Sequence, residues 1–86
     1  MKKILLNNGT MFHTQDVSVK SQLTFITIKH EVEQTQMGEA GKWYHWSAIP
    51  QMLLELVKSE AIYDYCTKGD NEIKITLRTK NIESID

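Results

Sequence analysis

The chain has 86 residues, of which 41% are hydrophobic and 24% charged, and this is the composition of an ordinary soluble globular domain. We predict one small domain over residues 1–86, which at this size buries only about 60% of the surface that its unfolded chain exposes. The formal net charge of −1 argues against polyanion binding through bulk charge. With one cysteine and no apolar run near the ~20 residues of a membrane span, the sequence predicts a cytoplasmic protein without membrane attachment.

The pair Asn8-Gly9 lies between two apolar runs and predicts an N-terminal β-hairpin. An Asn-Gly pair suits the two positive-φ positions of a type I′ turn, whose twist matches that of antiparallel strands. A two-residue loop would place Leu6 opposite Met11. Leu5 would then lie opposite Phe12.

Four further segments have the pattern of strands. Residues 23–32 are rich in β-branched side chains and predict a central strand, preceded by a short strand at residues 17–19. Residues 34–41 are polar, contain two glycines and predict a mobile loop that leads to a strand at residues 42–46. Residues 72–80 alternate between apolar and polar side chains, which predicts a last strand with one solvated face. Residues 81–86 are expected to form a frayed tail.

An amphipathic helix is predicted after the aromatic segment, with Ser47 as its N-cap and Pro50 in its first turn. Its apolar face has the three- and four-residue spacing of a helix and comprises Ile49, Met52, Leu53, Leu56 and Val57. Beyond residue 58 the stripe drifts, so the helix either curves round the core or breaks near Ser59 and restarts, with its end at Gly69. The predicted class is α+β, an antiparallel sheet of about four to five strands with one main helix on one face.

No catalytic motif is present in the sequence. The spacing of His13, His30, His45 and Cys66 matches no zinc pattern, and the four glycines form no phosphate-binding loop. Cys66, which we expect on the helix, is interpreted as inert core. The sequence therefore predicts a non-enzymatic protein without a metal or a cofactor.

Residues 41–50, GKWYHWSAIP, contain both tryptophans and supply the candidate partner-binding residues Trp43, Tyr44, His45 and Trp46. On a strand, alternate side chains of this segment point to opposite faces, and one helix covers only one face. Half of the aromatics should then be exposed unless a partner or a second copy covers them. Exposed Trp and Tyr are typical of protein–protein hot spots, so we predict a protein partner. The small core and the strands with apolar residues on both faces also predict a homodimer.

Lys74, Arg78 and Lys80 form a basic strip along the predicted last strand. Aromatic side chains beside this strip would offer rings on which bases could stack. Cations beside such rings are typical of proteins that bind single-stranded nucleic acid. Alternating cations also occur on the solvated face of an ordinary edge strand, and the domain as a whole is not basic. Nucleic-acid binding is therefore the second hypothesis, after protein binding.

The order of a β-branched strand at residues 23–28, a glycine-containing loop, the aromatic segment at 42–46 and a helix at 49–57 resembles that of small phage- and prophage-encoded accessory proteins. The resemblance covers roughly half of the chain and transfers no site residue. It implies a protein that binds and inhibits a host or defence protein in the host cytoplasm, with anti-CRISPR-like inhibition among the possibilities. Our leading hypothesis is accordingly a small protein-binding inhibitor or modulator from a phage or mobile element.

Overall fold

The structure, a computed structural model, describes residues 2–30, 37–39 and 42–86, and for residues 39, 42 and 43 it describes the backbone alone. The described chain contains nine strands, one α-helix and two short 3-10 helices. The strands are β1 (Lys2–Leu6), β2 (Thr10–Thr14), β3 (Asp16–Lys20), β4 (Leu23–Lys29), β5 (Met37–Glu39), β6 (Lys42–Trp43), β7 (Asp64–Lys68), β8 (Glu72–Arg78) and β9 (Ile82–Ile85). The helix α1 spans Ile49–Lys58, and the 3-10 helices span Trp46–Ala48 and Thr79–Asn81.

The strands divide between two antiparallel sheets, a five-stranded sheet in the order β6-β5-β2-β1-β9 and a four-stranded sheet in the order β3-β4-β8-β7. The predicted α+β class is confirmed, but two sheets take the place of the single predicted sheet. The chain passes from the first sheet to the second at Gln15. Beside this corner the Thr14 hydroxyl donates to the carbonyl of Thr27 in the other sheet and accepts a 3.1 Å hydrogen bond from the Asp16 amide.

Both sheets and the helix contribute to one hydrophobic core. Each of its central side chains is at most 2% exposed. They are Ile4, Leu6, Phe12 and Met37 from the five-stranded sheet, Ile26, Ile28, Ile73, Ile75 and Leu77 from the four-stranded sheet, Ile49 and Leu53 from α1, and Ile62. The alternation predicted for β4 and β8 is confirmed, because every second residue of these strands is buried. Burial of each such side chain contributes about 1.5–3 kcal/mol before the loss of chain entropy is subtracted.

The hairpin predicted from Asn8-Gly9 is confirmed, but its predicted register is wrong. Ile4 lies opposite Phe12, one position away from the predicted pairing of Leu5 with Phe12. The loop has three residues, its Gly9 amide donates to the Leu6 carbonyl at 3.0 Å, and Gly9 has a φ of 93°. A three-residue loop of this kind needs one positive-φ residue rather than two. Because strand faces alternate, the shift by one residue decides which side chains enter the core.

The helix α1 has the predicted apolar face, with Ile49 and Leu53 fully buried. Ser47 is not its N-cap, because the 3-10 turn Trp46–Ala48 precedes the helix and places Ala48 at the cap position. The Ser47 hydroxyl instead lies 3.2 Å from Nδ1 of His45.

The predicted helix end at Gly69 is wrong, because α1 ends at Lys58. Glu60 has a φ of 63°, and its amide donates to the Val57 carbonyl at 3.0 Å. The next amide, that of Ala61, donates to the Leu56 carbonyl at 2.9 Å. These two hydrogen bonds form a Schellman motif, in which a left-handed residue stops the helix.

The break near Ser59 was one of two predicted alternatives, but the chain continues as a strand. Strand β7 (Asp64–Lys68) pairs with β8 along its whole length. Its sequence DYCTK has only moderate helix propensity, and the pairing with β8 satisfies its backbone groups.

Two further predictions need correction. Within the predicted loop at residues 34–41, Met37–Glu39 form β5 and Met37 is fully buried, while residues 34–36, 40 and 41 lie outside the described residues. The predicted frayed tail contains β9, whose neighbour Asp86 exchanges two 2.9 Å backbone hydrogen bonds with Lys3. Ile82 packs against the core and helps to hold this strand on β1.

Candidate functional site

The aromatic segment does not continue as a strand through residues 42–46. Strand β6 contains only Lys42–Trp43. The Tyr44 amide still donates to the Met37 carbonyl at 3.2 Å, but the Ala48 amide donates to the His45 carbonyl at 2.9 Å and begins the helical turn. The predicted alternation of side chains between two sheet faces is therefore wrong beyond Trp43.

Trp46 is half-buried and packs against the core. Its ring stacks on that of His30, with 5.1 Å between the centroids and an interplanar angle of 7°. Its Nε1 donates to the Asp70 carbonyl at 3.2 Å. Trp46 thus joins the end of β4 to the turn between β7 and β8, and these contacts stabilise the fold.

The other predicted partner-binding residues have different environments. Tyr44 is half-buried against the core, whereas His45 is exposed. The side chain of Trp43 lies outside the described part of the structure. Of the three side chains described, two pack against the core and only the imidazole of His45 is exposed.

Phe25 is the most exposed aromatic side chain described in the four-stranded sheet, and it lies on the side of the sheet that faces solvent. We use the name "outer face" for the outward side chains of its two central strands, which are Leu23, Phe25, Thr27, Lys29, Glu72, Lys74, Thr76 and Arg78. Phe25 lies in the middle of this face, opposite Thr76, with β3 and β8 on either side. It is nevertheless 40% exposed, so its ring is available for contact with another molecule.

Two open grooves follow one another along the outer face. The first, which we name the basic groove, has a volume of about 730 Å³ and is lined by Ser21, Gln22, Leu23, Tyr63, Arg78, Thr79 and Lys80. The second has a volume of about 470 Å³ and surrounds Phe25, with Asp16 and Lys74 among its lining residues. Leu23 and Phe25 point to the same side of β4, so the two grooves share one continuous surface.

Arg78 is held in a fixed position at the basic groove. Its guanidinium carbon lies 5.1 Å from the centroid of the Tyr63 ring. Its Nη1 donates to the carbonyl of Glu60 at 3.1 Å and to that of Ile62 at 3.5 Å. Among the described residues no carboxylate lies within ion-pair distance of Arg78. Its charge is therefore oriented by neutral groups and is not neutralised by them.

The predicted basic strip divides along the outer face. Arg78 and Lys80 line the same groove, whereas Lys74 lies beside Phe25 in the other. Strand β8 lies between β4 and β7, so the alternative interpretation as an edge strand is wrong. Lys74 and Arg78 instead lie on the exposed side of an interior strand, and Lys80, which was predicted on the same strand, lies in the 3-10 helix Thr79–Asn81 that follows it.

Sequence reasoning did not select Phe25 or Tyr63. The alternation of β4 separates Phe25 from Ile26 and Ile28, but the sequence does not indicate which side of the strand is covered. The predicted continuation of the helix toward Gly69 would place Tyr63 on a helix, whereas Tyr63 lies just before β7 and is 53% exposed. Several residues after Ser59 have high β-propensity, and this is the one feature of the sequence that favours a strand there.

The candidate metal ligands lie on separate elements. Within residues 2–30, 37–39 and 42–86, no group of three or more His, Cys, Asp and Glu side chains is placed to hold a metal ion. Burial, and then the charge of Lys3, lowers the pKa of His13 from its ordinary value of 6.5. Cys66 is exposed on β7 opposite Lys74, so its interpretation as helical core is wrong.

The chain matches no protein-family model, no curated protein and no solved structure. Its described residues include no helix with the length and apolarity that crossing a bilayer requires. The outer face and the basic groove are therefore the features from which we infer a function.

Proposed function

We propose that this protein is a small non-enzymatic binding module that holds a partner protein against its outer face. The exposure of Phe25 in the middle of the four-stranded sheet is the observation that carries the proposal. Phe25, Tyr63 and Arg78 lie around the two grooves, and aromatic and arginine side chains of this kind are enriched in protein interfaces. The grooves offer space for side chains of the partner.

The partner class follows from the same proposal. The resemblance in the order of its segments to phage and prophage accessory proteins is the support for a role as an inhibitor or modulator of a host or defence protein. In this role the small domain acts by occupying a surface of the larger protein. We place the proposed site on the outer face rather than on the aromatic segment, because Tyr44 and Trp46 pack against the core whereas Phe25 is 40% exposed.

A photo-crosslinking residue at Thr76, opposite Phe25, tests this assignment in cells. We expect it to capture a specific protein, which is then purified for affinity measurements with the unmodified chain. Phe25→Ser should weaken that binding more than tenfold, since loss of a hot-spot aromatic costs at least about 2 kcal/mol. Leu54→Ser is the matched control, because Leu54 is 37% exposed on the helix and Phe25 is 40% exposed.

Three results of this experiment would contradict the proposal. The first is capture of no protein at position 76, and the second is equal binding by the Phe25→Ser variant and the parent. The third is a crosslink between two copies of the chain alone, which would assign the outer face to a homodimer.

The second candidate function is binding of single-stranded nucleic acid. It is favoured by the side chains of Arg78 and Lys80 in one groove with Tyr63, next to Phe25 and Lys74. Bases would stack on the two rings while the cations contact phosphates. A fluorescent oligothymidylate should then bind at low salt and dissociate steeply as salt rises. Absence of binding at low salt would eliminate this candidate.

A further inference from the structure

The charged side chains of the basic groove are all positive, although the positive and negative charges of the whole chain nearly balance. Of the seven residues that line it, Arg78 and Lys80 are cations and none is acidic. The whole chain has ten Lys and Arg against eleven Asp and Glu. The groove is therefore a local concentration of positive charge, which favours an anionic group on whatever occupies it.

Arg78 has unused hydrogen-bonding capacity toward such a group. A guanidinium has five N–H donors, and within the described residues only those on Nη1 have an acceptor. The two carbonyls and the Tyr63 ring fix the plane of the guanidinium. An arginine that is already positioned loses less entropy when it forms a two-bond pair with a carboxylate or a phosphate.

The surroundings of the groove distinguish between these two anions. Leu23 and Tyr63 add apolar surface, which suits a segment in which apolar and anionic side chains both occur. The next groove along the outer face has no such excess of cations, because Asp16 lines it together with Lys74 and lies 3.7 Å from the ammonium of Lys29. A long phosphate chain would therefore gain little beyond the basic groove, whereas a protein segment with one isolated acidic residue needs that groove alone.

We infer that the basic groove binds an aspartate or glutamate side chain on a largely apolar segment of the partner protein. Arg78 pairs with the carboxylate, Lys80 adds long-range attraction, and Leu23 and Tyr63 pack against the neighbouring apolar residue. This inference rests on the proposed protein-binding function and specifies the chemistry of the partner.

Amide and guanidinium NMR spectra of the full ¹⁵N-labelled chain provide the test. The probe is a blocked pentapeptide with a single central glutamate flanked by leucines, and its counterpart has glutamine in place of that glutamate. We expect the glutamate peptide to shift the signals of Leu23, Tyr63 and the Arg78 side chain in a saturable manner. The glutamine peptide should bind about tenfold more weakly, as expected for loss of a charge-assisted hydrogen bond.

Variants separate the role of Arg78 in the fold from its role in binding. Arg78→Gln removes two hydrogen bonds to backbone carbonyls, so the principal variant is Lys80→Glu, whose exposed side chain has no such contact. Lys80→Glu should weaken binding of the glutamate peptide about fivefold, since an exposed charge acts through attraction that solvent and salt screen. Lys2→Glu makes the same charge change on the exposed end of β1 and should leave binding unchanged.

Several outcomes overturn the inference. One is absence of saturable shifts, and another is equal binding of the two peptides. A third is a shift of the same signals by oligothymidylate and not by the glutamate peptide, which would assign the groove to phosphate. If a protein still crosslinks next to Phe25 in any of these cases, the proposed function stands and the acidic-segment inference alone fails.

Discussion

The indole of Trp46 lies parallel to the imidazole of His30, with 5.1 Å between the ring centroids. The same indole donates a hydrogen bond to the carbonyl of Asp70, 24 residues further along the chain. Trp46 therefore connects three segments that are far apart in sequence. This role explains why an aromatic residue that resembles a binding residue in the sequence is half-buried in the fold.

Two replacements of Trp46 should lower the free energy of unfolding by different amounts. Trp46→Phe keeps a ring against His30 but removes the hydrogen bond to Asp70, and we expect a loss of about 1 kcal/mol in the free energy of unfolding. Trp46→Ala also removes the packing of a half-buried ring, and we expect a loss of about 3 kcal/mol. Urea denaturation followed by circular dichroism measures both changes. His45→Ala is the control and should change stability by less than about 0.5 kcal/mol, and an equally small effect at Trp46 would contradict the structural role.

Two adjacent leucines of α1 should differ sharply in their contribution to the free energy of unfolding. Leu53 is fully buried and Leu54 is 37% exposed. We expect Leu53→Ala to lower the free energy of unfolding by about 3 kcal/mol, because it leaves a cavity in the core. Leu54→Ala should lower it by less than about 0.5 kcal/mol. Equal effects in urea denaturation would mean that the helix presents a different face to the sheets.

Deletion of residues 82–86 tests whether the C-terminal segment belongs to the fold. The deletion removes β9, its backbone hydrogen bonds and the packing of Ile82 on the core. We expect a loss of at least about 3 kcal/mol, or a chain that does not fold. Deletion of Asp86 alone is the milder control. A truncated chain as stable as the parent would restore the prediction of a frayed tail.

Glycine at position 60 should stabilise the end of the helix. Glu60 has a φ of 63°, a conformation that costs energy for any residue with a Cβ atom. We expect Glu60→Gly to raise the free energy of unfolding by up to about 1 kcal/mol. Glu55→Gly makes the same change inside α1 and should lower it by about 1 kcal/mol. A fall in stability for both variants in thermal or urea denaturation would argue against the Schellman end of this helix.

His13 should make stability depend on pH. Burial and the charge of Lys3 lower its pKa below 6.5, so the unfolded chain binds more protons than the folded chain between the two pKa values. The contribution of neutral His13 is complete above pH 6.5 and is lost as the pH falls toward the pKa of the folded state. His13→Gln should remove this component. Urea denaturation of both proteins on either side of pH 6.5 measures it, and identical pH dependence would contradict the prediction.

The part of the fold that was predictable came from short-range periodicity. Alternation along β4 and β8 and the three- and four-residue spacing of α1 identify which side chains share a face, because a regular backbone alone sets those directions. The turn at Gly9 was predictable in position, but its register depended on whether one or two residues adopt positive φ. The cations at Lys74, Arg78 and Lys80 were also identifiable from the sequence.

The environment of each candidate residue depended on contacts between distant segments. Pairing with β8 makes residues 64–68 a strand, and pairing with β1 orders residues 82–85. The division into two sheets leaves Phe25 exposed, whereas the turn after Trp43 directs Trp46 onto His30. Local pattern thus specifies the faces of individual strands and of the helix. The face that meets solvent is decided by how elements far apart in the chain associate. The free energies of that association cannot be read from a local sequence pattern.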